Sequence, residues 1–481
     1  MYGNIQKLWL VSLLFVVQLF EIQAQEGMGG GGYSMEQNFP CLTETERQEI
    51  KSQLHKNIKL LEQHGKITVP HFQEAALFEW PIAQQGISDF GYHGISGFVD
   101  QDPAFPNHLL DYNCGNRTYD LASGYNHKGI DFFTWPFGWY KMDYDEVAVI
   151  AAAPGVIILK QDGNFDRNCG FVGTSWNAIY IRHVDGSVAW YGHMKNGSLT
   201  SKILGDSVSV AEFLGVVGSS GNSTGLHLHF EIYDQSGNLI EPFEGPCNAL
   251  NSITWWNHQR QYYDSAINKL MTHSAPPEFP PCPTQEIINE EKHFMPGDRV
   301  YTAAYYRDQL DTQLSHYTVY RPDSLVHLSW NHYSNANHYS ASYWYWFWTL
   351  PSNAPNGIWS FDVEFEGEIY SHQFSVGEAT AIRGGDVIPG EYKLYQNFPN
   401  PFNPVTELSF MLPKSTWVNL KIFNSLGQQI KILADAKKAP GIHSITWDGK
   451  DKHGIEVPGG TYFYRFVTAD FSDTKPMLLI K

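Results

Sequence analysis

Two short stretches of the chain carry side chains that could hold a metal ion. In the first, His127 and Asp131 lie four residues apart. In the second, His227 and His229 lie two residues apart, and residues at that spacing in a β-strand project from the same face of the sheet. Imidazole nitrogens and carboxylate oxygens are ligands that zinc binds in proteins. Because each pair alone also occurs by chance on solvated surfaces, it is their combination that predicts a metal site.

A third stretch, Trp190-Tyr-Gly-His193, places one more histidine at the end of a predicted strand. The three stretches together resemble the lysostaphin or β-lytic metalloendopeptidase family, whose members carry an H-x-x-x-D motif, a Y-x-H strand and a late H-x-H strand in this order. The chain also has phrases typical of the family: Ala152-Ala-Pro-Gly-Val156, Ile181-Arg-His-Val-Asp-Gly186 and Gly215-Val-Val-Gly-Ser-Ser-Gly221. The resemblance covers roughly residues 120 to 235.

This resemblance implies a role for each of the five residues. His127, Asp131 and His229 would ligate Zn²⁺, and a water molecule would take the fourth position, which is the arrangement of a catalytic zinc site. His193 and His227 would flank that water and the scissile carbonyl, one taking a proton and the other stabilising the oxyanion, in an order that the sequence leaves open. All five positions are kept, so the predicted activity is that of a zinc metalloendopeptidase, a hydrolase.

The same resemblance implies hydrolysis of peptide bonds in peptidoglycan cross-links or in Gly-rich extracellular proteins. An alternative from a different class is a non-catalytic cell-surface adhesion or carbohydrate-binding protein on a vestigial peptidase fold. Its support is the aromatic run Tyr343-Trp-Tyr-Trp-Phe-Trp348, which could stack on sugars, although packing in a core or at a sheet edge is the use that we expect. The intact set of zinc-binding residues argues against this alternative.

The elements that must position these residues are predicted to be mainly β-strands. A chain of 481 residues exceeds one hydrophobic core, and an aromatic share of 15% favours pleated, half-buried surfaces. Short apolar strands punctuated by Gly predict an antiparallel β-sheet peptidase domain over residues 76–275, and alternation predicts two small β-sandwich (Ig-like) domains over 285–378 and 390–481. The formal net charge of -18 argues against a nucleic-acid partner, because phosphate binding needs a basic surface.

The N-terminal residues predict export and then a short helical segment. Residues 1–24 have the layout of a signal peptide with cleavage after Ala24, and no later stretch is long and apolar enough to span a membrane. A flexible Gly-rich leader follows, and Thr43 and Glu46 then form a capping-box pattern at the start of a helix that Gly65 ends. Residues 25–75 would either pack on the next domain or act as a propeptide that covers the active site.

Five cysteines follow the signal peptide. In an oxidising compartment most would be bridged, and the odd count leaves at least one free or paired with another molecule. We predict the pairs Cys114–Cys169 and Cys247–Cys282 from the segments that are expected to lie close together. No two cysteines form a C-x-x-C pair, so a zinc site with thiolate ligands is not expected.

The C-terminal segment resembles the sorting domain of type IX (Por) secretion cargo. The resemblance rests on Tyr395-Gln-Asn-Phe-Pro-Asn-Pro-Phe-Asn-Pro404, on Gly459-Gly-Thr-Tyr-Phe-Tyr464 and on the closing Leu478-Leu-Ile-Lys481. It implies passage across the inner membrane by the signal peptide and across the outer membrane by the type IX secretion machinery. The stretch Ala381-Ile-Arg-Gly-Gly385 would be the joint before this domain. The protein is expected to be secreted or held at the cell surface, after passage through the periplasm.

Overall fold

The computed structural model describes residues 28–33, 39–67, 76–87, 89–377, 392–395, 397, 400, 402–412, 416–425, 427–438 and 441–480. The predicted signal peptide and the joint at residues 381–385 lie outside these residues. The chain divides into two compact units, residues 1–377 and 378–481. The fold is mainly β, as predicted. Within the described ranges, no helix combines the length and the apolar character that a membrane span requires.

The described part of the first unit contains two helices and twenty strands. They are β1 (Met28–Tyr33), α1 (Glu44–Gln63), β2 (Ile82–Gln84), β3 (His93–Gly97), β4 (Ile130–Thr134), α2 (Gly138–Asp143), β5 (Val147–Ile150), β6 (Gly155–Gln161), β7 (Ala178–His183), β8 (Val188–Gly192), β9 (Ser207–Val208), β10 (Phe213–Val216), β11 (His227–Tyr233), β12 (Leu239–Ile240), β13 (Ala266–His273), β14 (His293–Phe294), β15 (Arg299–Leu310), β16 (Ser315–Tyr320), β17 (Val326–His332), β18 (His338–Thr349), β19 (Gly357–Phe365) and β20 (Glu368–Val376).

An eight-stranded antiparallel sheet carries the predicted H-x-H strand. Its order is β3-β4-β11-β8-β7-β6-β9, with β12 paired to β11. On β11, Leu228 and Phe230 pack in a core that this sheet shares with the three-stranded sheet β10-β5-β2. His227 and His229 therefore occupy the opposite face of β11, as the alternation predicted.

Helix α1 packs against the face of the sheet that carries these histidines. At its start, the Thr43 hydroxyl accepts a hydrogen bond from the Glu46 amide, and the Glu46 carboxylate accepts one from the Thr43 amide. The predicted capping box is thus confirmed. Ile50 and Leu54 of the helix are buried in one hydrophobic cluster with Trp190 of β8. The apolar face of the helix therefore covers the sheet beside the predicted site.

The last third of the first unit is a two-sheet sandwich. Its sheets have the orders β1-β18-β15-β13 and β14-β20-β19-β16-β17. Trp344, Trp346 and Trp348, which alternate along β18, are buried in the core between the sheets. The packing expected for the aromatic run is thus confirmed. Strand β13 precedes the boundary predicted at residue 275, yet it pairs with β15 and so belongs to this sandwich.

The Gly-rich leader forms a strand instead of the flexible segment that we predicted. Strand β1 pairs antiparallel with β18 along its whole length. A side chain at Gly29 would collide with the ring of Tyr345, and one at Gly32 would collide with the ring of Tyr339. The missing side chains let the backbone approach an aromatic-rich strand closely. The composition that suggested flexibility is therefore what permits the pairing.

Both predicted disulfide pairs are wrong. The structure has Cys114–Cys247 and Cys169–Cys282, and it leaves Cys41 unpaired and buried. The amide of Cys247 donates a hydrogen bond to a carbonyl two residues before Cys114, so the loop after β12 returns to this segment. The two bridges join residues 133 and 113 positions apart. Contacts at such separations depend on the tertiary fold, which local sequence patterns do not specify.

The second unit is a small β-sandwich, as predicted. Its described strands are β21 (Lys393–Leu394), β22 (Thr406–Leu412), β23 (Thr416–Asn424), β24 (Gln429–Lys438), β25 (Gly441–Trp447), β26 (Gly460–Val467) and β27 (Ser472–Leu479). They form the sheets β21-β22-β25 and β24-β23-β26-β27. Phe410 of the first sheet and Leu420 and Phe466 of the second share one hydrophobic core.

Candidate metal and catalytic site

Strand pairing brings the predicted site residues together. Strand β11 lies between β4 and β8 in the sheet. His229 of β11 is opposite Asp131 of β4 on one side and opposite Gly192 of β8 on the other. His127 lies just before β4, and His193 directly follows β8. The register of three neighbouring strands therefore gathers residues that are far apart in the sequence.

Three side chains form a compact donor triangle. His229 Nδ1 is 2.7 Å from Asp131 Oδ1, and His127 Nε2 is 3.2 Å from Asp131 Oδ2. His127 Nε2 and His229 Nδ1 are 3.4 Å apart. Ligands placed tetrahedrally around zinc at about 2.0–2.2 Å lie roughly 3.3–3.6 Å from one another. The separations of 3.2 and 3.4 Å match this spacing, and a zinc ion would replace the 2.7 Å hydrogen bond between His229 and Asp131.

The outer ring nitrogens of the two histidines hold these donors in place. His127 Nδ1 is 2.7 Å from the carbonyl oxygen of Phe98, and His229 Nε2 is 2.8 Å from Oε1 of Glu231. Carbonyl and ionised carboxylate oxygens only accept hydrogen bonds, so both of these ring nitrogens donate. His127 Nε2 and His229 Nδ1 both face the Asp131 carboxylate, and His229 Nδ1 is hydrogen-bonded to it over 2.7 Å. A metal bound here would replace that hydrogen and take a lone pair from each of the two nitrogens, which is the usual arrangement of metal-binding histidines.

A second pair of imidazoles lies beside the triangle. His193 Nδ1 donates to the carbonyl of Ser220 over 2.6 Å, and His227 Nδ1 donates to the carbonyl of Gly225 over 2.9 Å. The Nε2 atoms of both rings are buried and have no nitrogen or oxygen hydrogen-bond partner among the described residues. His227 Nε2 is 3.7 Å from Asp131 Oδ1, and the two ring centroids are 4.4 Å apart. Two basic nitrogens are thus available next to the triangle.

The charge states of Asp131 and His193 suit a metal ligand and a proton acceptor. Burial alone would raise the pKa of Asp131, but the imidazoles of His127, His227 and His229 hold it well below its ordinary value. Burial lowers the pKa of His193, and the neighbouring His227 lowers it further. Asp131 is therefore ionised and His193 is neutral at neutral pH.

Glu231 and Arg47 belong to the site, and our sequence analysis missed both. The guanidinium of Arg47, on α1, donates to the two carboxylate oxygens of Glu231 over 2.5 and 2.8 Å. Burial would raise the pKa of Glu231, but Arg47 and His229 lower it, so this residue is ionised. The strand alternation could have found Glu231, because residues 227, 229 and 231 share one face. No local pattern places Arg47 there.

Cys41 is a further donor that we did not predict. Its Sγ and one ring nitrogen each from His193, His227 and His229 lie within 4.8 Å of one another. The Sγ also lies 3.1 Å from the hydroxyl of Tyr119. The expectation that no thiolate takes part rested on the lack of a C-x-x-C pair. It did not consider a single cysteine brought in by the N-terminal segment.

The site is closed to solvent. His127, Asp131, His193, His227 and His229 have no exposed surface, and Cys41 is 2% exposed. Even the residue between the first two ligands is constrained, because a Cβ at Gly129 would lie 2.6 Å from His229 Nε2. The described residues therefore leave a polypeptide substrate no path to these side chains in this conformation.

The five predicted site residues lie in a part of the chain that matches a known protein family. Residues 125–242 match the model of Peptidase family M23, and this range includes all five predicted site residues. Residues 402–470 match the model of the FlgD Ig-like domain. Cys41 and Arg47 lie outside both matches.

Similar proteins share only part of their length with this chain. The chain is 38% identical to the DD-carboxypeptidase/endopeptidase Mpg of Neisseria meningitidis serogroup B over 105 residues, which are 22% of this chain and 19% of that protein. It thus spans about a fifth of the length of this curated relative. The catalytic domain of the antimicrobial peptidase lysostaphin from Staphylococcus simulans is 24% identical, with 30% of this chain and 85% of that chain covered and a TM-score of 0.20. For a variant of the catalytic domain of the prophage-encoded M23 protein EnpA from Enterococcus faecalis, the identity is 23%, the coverage 36% and 94%, and the TM-score 0.20.

Proposed function

We propose that the protein is a secreted zinc metalloendopeptidase that hydrolyses peptide bonds in peptidoglycan cross-links or in Gly-rich extracellular proteins. The observation that carries this proposal is the donor triangle of His127, Asp131 and His229, with two further imidazoles beside it. The match of residues 125–242 to Peptidase family M23 supports it independently of the geometry. The relative in Neisseria meningitidis is named a carboxypeptidase and endopeptidase, which supports peptide-bond hydrolysis as the reaction.

In this proposal the triangle holds the metal. His127 would hold it through Nε2, His229 through Nδ1 and Asp131 through its carboxylate, because Phe98 and Glu231 engage the other ring nitrogens. Zinc in such a site polarises the scissile carbonyl and makes a water molecule more acidic. Asp131 supplies the single negative charge of the ligand set, so the centre keeps a net positive charge that attracts carbonyl oxygen.

His193 and His227 move protons and stabilise charge. The Nδ1 of each ring is engaged with a backbone carbonyl, so Nε2 is the nitrogen that acts on the substrate. A neutral ring of this pair accepts a proton from water. A protonated ring donates a hydrogen bond to the carbonyl oxygen as negative charge develops there, or a proton to the leaving amine.

The proposal also includes a route out of the cell. Residues 1–24 would direct the chain across the inner membrane, and the C-terminal unit would be the address read by type IX secretion machinery. The sequence resemblance described above supports this role, as does the absence of any of the five site residues from residues 378–481. The site of action would then be the cell surface or the medium.

Metal analysis and zymography test the proposed activity. We expect stoichiometric zinc in the purified protein. We also expect clearing of peptidoglycan or elastin in gels, measured before and after limited proteolysis, that a chelator abolishes. His127→Ala should lose both zinc and clearing, whereas His258→Ala, at an exposed histidine of the same unit, should keep both. Wild-type protein without zinc, or clearing that a chelator leaves intact, would contradict the proposal.

A further inference from the structure

We propose that the N-terminal segment, residues 39–67, holds the enzyme in a latent state, with the Cys41 thiolate as a fourth ligand of the metal. This inference rests on the proposed function, because it requires a metal at His127, Asp131 and His229. It adds a ligand and a regulatory state to that site. The position of the sulfur atom, the closure of the site and the anchoring of the segment each support it.

The sulfur atom of Cys41 lies beside the donor triangle. It is grouped within 4.8 Å with ring nitrogens of His193, His227 and His229, the last of which is also a corner of the donor triangle. Cys41 is the cysteine that the two disulfides leave free. The Nε2 atoms of His193 and His227, both without exposed surface, have no nitrogen or oxygen partner in the described part of the chain. The thiol therefore lies next to His193, His227 and one corner of the triangle.

A substrate and the segment cannot occupy the site together. The residues of the site are buried, and the cluster that buries Cys41 also contains Leu42 of the segment with Tyr119 and Trp176 of the peptidase region. Trp176 in turn lies 5.0 Å from the ring of His193, measured between centroids. A peptide bond can reach the metal only after the segment has left this position.

A buried ion pair links the segment to a metal ligand through Glu231. Arg47, 1% exposed, holds Glu231 with two hydrogen bonds, and Glu231 accepts the Nε2 hydrogen of His229. The Tyr233 hydroxyl donates to the same carboxylate over 2.7 Å. Two parallel hydrogen bonds between an arginine and a carboxylate fix the orientation of both groups, and they are stronger than hydrogen bonds between neutral groups. The segment is therefore positioned by the same carboxylate that orients a zinc ligand.

Contacts farther along α1 keep the segment in register with the sheet. The Asn57 side-chain amide donates to the carbonyl of Ile158 over 2.8 Å, and Glu62 pairs with Arg182 over 2.9 Å. These contacts place the helix along strands β6 and β7, away from the metal ligands. They hold Cys41 at the site without adding any group to it.

The chemistry of a thiolate suits this role. Thiolate sulfur binds zinc at about 2.3 Å and completes a tetrahedral set with two imidazoles and one carboxylate. On binding, the S–H bond breaks and its proton passes to solvent, and no other bond changes. Because the ligand belongs to the same chain, its effective concentration at the metal is high until the segment is cut away or withdrawn. Its departure opens the coordination position that hydrolysis requires.

Cobalt substitution tests the ligand without relying on activity. We would load the full chain with Co²⁺ and record its absorption spectrum for the wild type, for Cys41→Ala and for Glu44→Gln. Glu44 is the matched control because its side chain lies at the exposed start of α1. We expect a thiolate-to-cobalt charge-transfer band in the wild type and in Glu44→Gln, and its loss in Cys41→Ala with cobalt still bound.

The outcomes separate this inference from the proposed function. A protein that binds stoichiometric cobalt without the charge-transfer band would overturn the role of Cys41 and leave the zinc peptidase intact. A protein that binds no metal would overturn both. Hydrolysis by the three zinc-loaded chains then tests latency, and we expect Cys41→Ala to exceed the other two. Equal rates in the wild type and Cys41→Ala would overturn the latent state.

Discussion

Two parts of the first unit are rich in histidines packed among aromatic rings, but the described residues of only one of them form a group that could bind a metal. In the sandwich, the ring of His332 lies 4.5 Å from that of Trp344, and His372 is hydrogen-bonded to Thr272. Neither ring belongs to a cluster of metal donors among the described residues. In the eight-stranded sheet that carries β11 (the peptidase sheet), by contrast, four imidazoles and the Asp131 carboxylate converge.

The two regions differ in the contacts that their buried histidine rings make. In the sandwich, burial lowers the pKa of His332 and of His372 to about 4, so each ring is neutral at neutral pH. In the peptidase sheet, every imidazole of the site has one nitrogen bonded to a backbone carbonyl or to Glu231, and its other nitrogen lies near the other donors. The abundance of histidine therefore does not make a site. Strand register does, because it decides which ring nitrogens meet.

Removing a corner of the triangle should have the largest effect. In protein freed of the N-terminal segment, we expect His127→Ala, Asp131→Ala and His229→Ala each to release zinc and abolish hydrolysis, because a two-ligand remnant does not hold the ion. Metal content after dialysis and zymography measure both losses. Stoichiometric zinc retained in two of the three variants would show that convergence in this sheet does not define the metal site.

Removing the neighbouring imidazoles should separate catalysis from binding. His193→Ala and His227→Ala should keep zinc, while kcat falls by about 10²–10⁴-fold, the usual contribution of a general acid or base. Zinc content and steady-state rates of the same preparations, freed of the N-terminal segment, give the comparison. A variant that lost its zinc would move that histidine into the ligand set.

Replacing Glu231, the carboxylate that orients His229, should weaken metal binding less than replacing a metal ligand does. Glu231→Gln should weaken zinc binding roughly 10–100-fold, because the partner that fixes His229 becomes neutral. The single change also leaves Arg47 buried without a charged partner, so the double variant Arg47→Met, Glu231→Gln is the control for folding. Competition with a chelator of known affinity gives the ratio. Unchanged affinity in the double variant would show that Glu231 only anchors the helix.

Local patterns in the sequence predicted much of this site. The H-x-H alternation placed His227 and His229 on one face, and the capping box at Thr43 fixed the start of α1. Both features depend on residues a few positions apart, whose geometry the backbone repeat dictates. The expected group of five residues did assemble, because the stretches that carry them occupy neighbouring strands.

The parts that the sequence did not predict depend on distant contacts. Cys41 and Arg47 reach the site only because α1 packs across the sheet, and the disulfides join loops more than a hundred residues apart. The glycines of β1 were misjudged for the same reason, since their role depends on the aromatic rings of β18. A residue whose partner is set by packing gives no periodic signal.

The smallest effect that we predict concerns a histidine of the sandwich, His332. His332→Phe preserves the aromatic contacts with Trp344 and Trp346 and removes a ring whose Nδ1 is buried without a hydrogen-bond partner. Zinc content and hydrolysis should not change. Near neutral pH the free energy of unfolding should hardly change either. At that pH the ring of His332 is neutral in the folded chain and in most molecules of the unfolded chain.

The variant should differ from the wild type in acid. The pKa of His332 is about 4 in the folded chain and about 6.5 in an unfolded one, so between these values the unfolded wild type binds a proton that the folded form does not. The wild type therefore loses stability as the pH falls from about 6.5 to 4, and the phenylalanine variant lacks this loss. Because the ring is only partly buried and solvent screens its charge, we expect a relative gain of about 1 kcal/mol for the variant near pH 4.5. Urea unfolding of both chains at neutral and acid pH measures it. If the difference in unfolding free energy between the two chains did not vary with pH, burial would not control the pKa of this ring. The contrast between the two histidine-rich regions would then rest on geometry alone.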